Sequence, residues 1–100
     1  MLLAKVRGTV VSTCKEPTLS GVKFLLVQLL NEAGELLPEY EVAADVVGAG
    51  NGEWVLISRG SGARQHEGYF QRPLDATIVA IVDTVSLDGG NLYSKREDFG

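Results

Sequence analysis

The chain has 100 residues, 45% of them hydrophobic and 22% charged, which is the profile of one small globular domain with a single core and no large cleft between domains. A formal net charge of -4, with the nine Lys and Arg residues scattered along the sequence, opposes indiscriminate attraction to polyanions, because phosphate binding draws on clustered cations. No apolar run reaches the roughly 18 residues of a membrane span, and a lone cysteine, Cys14, excludes an internal disulfide; the expectation is a soluble, cytoplasmic protein with no membrane partner.

Alternation begins at once. In "LAKVRGTVVST", residues 3–13, Ala4, Val6 and Val10 share one parity and Lys5, Arg7 and Thr9 the other, which predicts a half-buried strand with Gly8 as a place for a bend. After the turn-rich "CKEPTLSG" comes "VKFLLVQLLN", residues 22–31. Both parities are apolar there: Phe24, Leu26 and Leu30 against Leu25, Val27 and Leu29. "EAGELLP" reads as a connection turning at Ala33-Gly34, and "EYEVAAD", residues 39–45, as a third strand.

The next stretch, "GAGNGEWVLISRGSGAR", residues 48–64, has the look of a glycine-rich phosphate loop. Such a loop must deliver its N–H groups into the start of a helix. These glycines lead instead into the β-rich apolar run Trp54 to Ser58, so Gly48, Gly50 and Gly52 are read as turning the chain between strands, with residues 54–59 as the fourth strand. The fifth, "DATIVAIVDTVSL", residues 75–87, is again apolar on both faces, with Ile78, Ala80 and Val82 against Val79, Ile81 and Val85.

Five short strands predict an all-β fold, a small five-stranded OB-like barrel spanning residues 1–100 as one domain. A barrel has one inside, yet strands two and five offer apolar residues to both sides. A loop or the C-terminal tail covers some of that surface in this reading, and contact with identical neighbours covers more, so an oligomer is expected.

The residues offer little chemistry. His66 is the only histidine, in the hydrophilic "RQHEGYFQRP"; Cys14 lies beside Lys15 in a turn, and nothing supplies the third group that orients a catalytic pair. One Cys and one His do not make a zinc site, and no cofactor is expected. Glu39, Glu41 and Asp45 cluster in the third strand, where alternating charge is more simply a solvated face than an acid and base pair. The best basic and aromatic cluster is Arg64, Tyr69, Phe70 and Arg72; it supports an alternative in which an acidic OB module takes single-stranded nucleic acid or a small ligand.

Three blocks in order, "AKVRGTVVSTCKEP", "DVVGAGNGEWVLISRGSGAR" and "VDTVSL", make the chain resemble the CcmL/EutN family of bacterial microcompartment vertex proteins across nearly its whole length. "GVKFLLVQLL", "PEYEVAADVVGAG" and "LYSKRED" look most like the carboxysome members. The resemblance implies a non-enzymatic OB-like barrel that forms a cyclic homopentamer, sits in the carboxysome shell at its vertices, meets hexameric shell proteins and binds no nucleic acid. It also implies that "RGSGAR" approaches the five-fold axis, where Gly60, Ser61, Gly62 and Ala63 are small enough to converge and Arg64 reaches a neighbouring subunit.

Overall fold

A computed structural model describes residues 1–11, 21–59 and 76–95. Their strands are β1 (Leu2–Val10), β2 (Lys23–Leu30), β3 (Leu36–Asp45), β4 (Trp54–Arg59), β5 (Ala76–Ile81), β6 (Thr84–Leu87) and β7 (Gly90–Ser94). The first five close a barrel in the order β1-β2-β3-β5-β4, antiparallel throughout except for the short parallel seam between β3 and β5 at Ala44–Thr77 and Asp45–Ile78. This is the expected five-stranded OB-like barrel.

The core follows strand alternation. Leu25, Val27 and Leu29 of β2, Val55 and Ile57 of β4, and Ala4 and Val6 of β1 all pack inside. Two irregularities modify the pattern. Between Val6 and Gly8 the β1–β2 register slips, so Val10 pairs with Phe24 and leaves the face occupied by Ala4 and Val6. That corrects the shared parity expected of Val10, and the bend falls at Gly8 as expected. In the second, Leu56 pairs with Ala80 while Ile57 pairs with Ile78, so Val79 is an extra residue. The bulge lets both Ile78 and Ile81 pack on the core. The doubly apolar look of this strand is partly the signature of that bulge.

The expected fifth strand, 75–87, is in fact two. Strand β5 stops at Ile81; the Val82 N–H is bonded to the Trp54 carbonyl at 2.9 Å, the chain bends at Asp83, and β6 then pairs with β7 as a separate hairpin. Its turn is Asp88-Gly89, with φ of 52° and 81°, the left-handed geometry that a two-residue hairpin demands and that Asp-Gly supplies. The third strand also starts earlier than expected, at Leu36. Its pairing with β2 slips between Gln28 and Leu30, Pro38 occupies the irregularity, where its missing N–H costs no ladder bond, and Gln28 Nε2 donates to the Leu37 carbonyl at 2.8 Å.

The hairpin covers part of the barrel's outer face. Lys5 pairs with Trp54 and Leu3 with Leu56, so these side chains point away from the core. Trp54 there stacks on Tyr93 of β7, with ring centroids 4.2 Å apart and planes 11° from parallel. Leu30, Trp54 and Tyr93 form a second apolar cluster, with Leu3, Val82 and Val85 packed around it. The packing is close enough that a Cβ at Gly34, already at φ +79°, would meet the Trp54 ring at 3.0 Å.

The hairpin is also fastened by charge. Lys95 Nζ lies 2.6 Å from Glu53 Oε2, and the Lys95 N–H donates to the Asp83 carbonyl at 2.8 Å. The hydrogen bond from Lys95, followed by that from the Gly50 N–H, holds the Glu53 carboxyl below its ordinary value of 4.5, while the contact with Glu53 raises Lys95 above 10.5.

Two outcomes are expected. Tyr93→Ala should leave the barrel folded while costing about 3 kcal/mol in unfolding stability, and it should shift emission from Trp54, the sole tryptophan, toward the red; unchanged emission would contradict the stack. The Glu53 contribution is complete above pH 4.5 and disappears as the pH falls through the lowered folded value, whereas the Lys95 contribution is complete below pH 10.5 and disappears as the pH rises through its raised one. The stability gap between the wild type and Glu53→Gln should therefore be flat in the middle of the range and close in acid; a gap independent of pH would show that the ion pair does not stabilise the fold.

Candidate functional site

The glycine-rich turn between β3 and β4 is built around two carboxylates. Asp45 ends β3; its Oδ1 accepts the Val47 and Gly48 N–H groups at 3.1 and 3.0 Å, and its Oδ2 the Ala49 N–H at 3.0 Å. Glu53 accepts the Gly50 N–H. Gly52 donates to the Val6 carbonyl and Glu53 to the Gly50 carbonyl. Gly48 and Gly52 have φ of +79° and +87°, which is why glycine stands at both. A ring of convergent N–H groups is an anion cradle, but this one is filled by the chain's own side chains and is followed by a strand. The phosphate-loop reading fails on both counts, and the glycines turn the chain between strands as the spacing implied.

At the end of β4, Arg59 makes an ion pair with Glu41 of β3. Arg59 has the parity of core residue Ile57 and Glu41 that of core residue Ala43, so the pair lies toward one mouth of the barrel. Glu41 is therefore half of a structural ion pair, whereas Glu39 is exposed. Asp45 is committed to its turn, with Lys23 Nζ 3.8 Å away. The acidic trio is not gathered into one site, and among the described residues no group of three His, Cys, Asp or Glu side chains is placed to hold a metal ion.

Gly60, Ser61, Gly62, Ala63 and Arg64 lie outside the described residues, as do Cys14, Lys15, His66, Tyr69, Phe70 and Arg72. The described chain leads to this segment at Arg59, the last residue of β4.

The surface that stands out lies on β2 and β3, away from the hairpin. Leu26 pairs with Val42, Gln28 with Tyr40 and Phe24 with Ala44, and directly opposed residues share a face. This is the outer face, since Leu25 and Val27 point inward. Tyr40 is 52% and Val42 48% exposed, with Phe24 and Leu26 half-buried beside them. Nothing in the described part of the chain covers them as Tyr93 covers Trp54. Sequence reasoning identified the doubly apolar β2 but passed over Tyr40 and Val42, whose spacing two apart in "EYEVAAD" put them on one face.

Known proteins share both the sequence and this architecture. Residues 1–83 match the family described as "Ethanolamine utilisation protein EutN/carboxysome". The carboxysome shell vertex protein CcmL of Synechococcus elongatus is 64% identical over 97 residues, which is 97% of this chain and 98% of that one. Among solved structures, CcmL of Gloeobacter violaceus superposes with a TM-score of 0.91 at 62% identity, covering 96% of this chain and 99% of that one. GrpN of Rhodospirillum rubrum, described as a pentameric microcompartment shell protein, does so with a TM-score of 0.79 at 49% identity, covering 87% and 99%. The shared blocks, the closed barrel and the near full-length identity have one reading: the chain belongs to the EutN/CcmL family.

Proposed function

We propose that five copies of this chain close into a ring that fills a vertex of the carboxysome shell, its sides meeting hexameric shell proteins. The chain is a structural shell protein and not an enzyme, and its place is the carboxysome shell. The observation that carries the ring is the apolar strip of exposed Tyr40 and Val42 beside half-buried Phe24 and Leu26, on a fold shared with a pentameric relative. Full burial of such a side chain is worth roughly 1.5–3 kcal/mol, of which the half still exposed remains to be gained, and a cyclic assembly repeats that gain at every interface. The mechanism is geometric. Six-fold tiles make flat sheets, and a closed shell requires five-fold positions at its corners. The negative net charge opposes open-ended association of the rings.

Under this reading the loop Gly60 to Arg64 lines the five-fold axis. Its support is steric: four small residues in a row suit a place where five copies converge, and the segment starts from a strand end anchored by the Arg59–Glu41 pair. The alternative, an acidic OB module for nucleic acid or a small ligand, has no comparable observation behind it.

Native mass spectrometry should give a dominant five-fold multiple of the 10.7 kDa chain, and Val42→Glu should reduce it to smaller species with circular dichroism unchanged. A dominant monomer or dimer for the wild type at micromolar concentration would sink the ring. At the axis, Gly62→Asp adds five like charges in one small space and should weaken the assembly, with recovery at low pH as the carboxyls are protonated. Gly62→Ser removes the same backbone freedom and should be tolerated. Sedimentation of both variants across pH separates crowding from stiffness; an Asp variant as pentameric as the Ser variant at neutral pH and low salt means that this loop does not line the axis.

A further inference from the structure

The described cations divide into two groups. Lys23, Arg59 and Lys95 each face a carboxylate, on Asp45, Glu41 and Glu53 respectively. Lys5 and Arg7 face none within the described part of the chain, and both line one cleft, about 270 Å³, shared with Val6, Asn51 and Gly52. Two cations in one depression with no carboxylate partner among the described residues are conspicuous.

The cleft is formed by the slip in β1. Gly52 donates to the Val6 carbonyl and Val6 to the Glu53 carbonyl, each at 2.9 Å, which seats the glycine turn against β1 just where Arg7 leaves the regular ladder. Asn51, with its amide oriented to satisfy both neighbours, donates from Nδ2 to the Val6 carbonyl at 3.3 Å and the Arg7 carbonyl at 3.1 Å. The Val6 and Arg7 carbonyl oxygens are thus engaged. Across the ladder Lys5 faces Gln28 and Trp54, neither of them anionic, and the nearby Glu53 carboxylate is committed to Lys95 and Gly50. Lys5 and Arg7 are the charged residues that line the cleft, and a guanidinium fork matches two oxygens of one anion.

We propose that this cleft binds a small oxyanion of the carboxylate or phosphate type between Lys5 and Arg7. The site shares no residue with the β2–β3 strip or with Gly60–Arg64, so it can be tested apart from the vertex reading, although one of its two anion sources, an adjoining shell subunit, rests on that reading. Partly exposed cations in an open cleft bind weakly, with a dissociation constant on the order of 1 mM. One source of the anion is solution; the other is an acidic side chain of an adjoining shell subunit, which at an interface benefits from a high local concentration.

The test uses the intact assembly and follows backbone amide resonances of Lys5 to Arg7 and Asn51 to Gly52 during titration with sodium phosphate and, separately, sodium acetate, with sodium chloride at equal ionic strength as the control. Saturable shifts with either oxyanion, weakened at least tenfold in a Lys5→Ala/Arg7→Ala variant and retained in Lys23→Ala, are expected. Preference for phosphate indicates a free anion, and equal binding of acetate a protein carboxylate. Shifts that merely track ionic strength, or saturable shifts that survive the double substitution, would overturn the proposal. The mass of the assembly should be the same in all variants, so loss of binding is read separately from loss of the ring.

Discussion

A five-stranded barrel has a single interior, and whatever apolar surface it cannot turn inward has to be covered from outside. The rest of this structure is arranged around that constraint. On the β1–β4 side the chain covers itself: the β6–β7 hairpin lays Tyr93 against Trp54 and brings Lys95 to Glu53. On the β2–β3 side Tyr40 and Val42 stay half exposed. The same surplus of apolar residues is thus met within the subunit on one side and, in the proposed ring, between subunits on the other. In that arrangement, folding and assembly are divided between two sides of the barrel's outer surface.

The glycine-rich turn shows a related economy with polar groups. Its N–H donors would be costly if left unsatisfied, and Asp45 and Glu53 satisfy them internally. The corner between β3 and β4 is consequently fixed by covalent neighbours rather than by a ligand, and it seats against β1 through Val6. A shell component needs corners of constant shape, and a turn that supplies its own counter-charges holds that shape whatever ions surround it.

The barrel was legible in the sequence because β2 and β4 are largely apolar runs bounded by turn residues; the turn glycines were legible because positive φ favours that residue. The errors sit where alternation is broken. Gly8 advertised its irregularity, whereas the extra residue at Val79 lies within an unbroken run of β-branched and small residues, where period-two counting has no marker for a slip. The hairpin went unread although Asp88-Gly89 carries its turn signal, because the flanking strands β6 and β7 are short and mostly exposed. The Glu53–Lys95 pair joins residues far apart in sequence, and only the fold reveals such a meeting. The proposed place of Gly60 to Arg64 at the axis rests on resemblance, and their small residues are the one physical hint that composition offers.

The seam between β3 and β5 involves only Ala44 and Asp45 of β3, so among the described residues the first part of β3 pairs on one side alone. A half-free edge is a template on which another extended chain can add itself, backbone to backbone, without regard to side-chain shape. Here that edge carries Pro38, which cannot donate, and the charged Glu39, with a register slip beside them. These are the devices that discourage strand addition. In the proposed ring, a chain that joins its neighbours at one angle has reason to refuse the join that works at any angle, and β3 withholds its backbone while offering the side chains of Tyr40 and Val42.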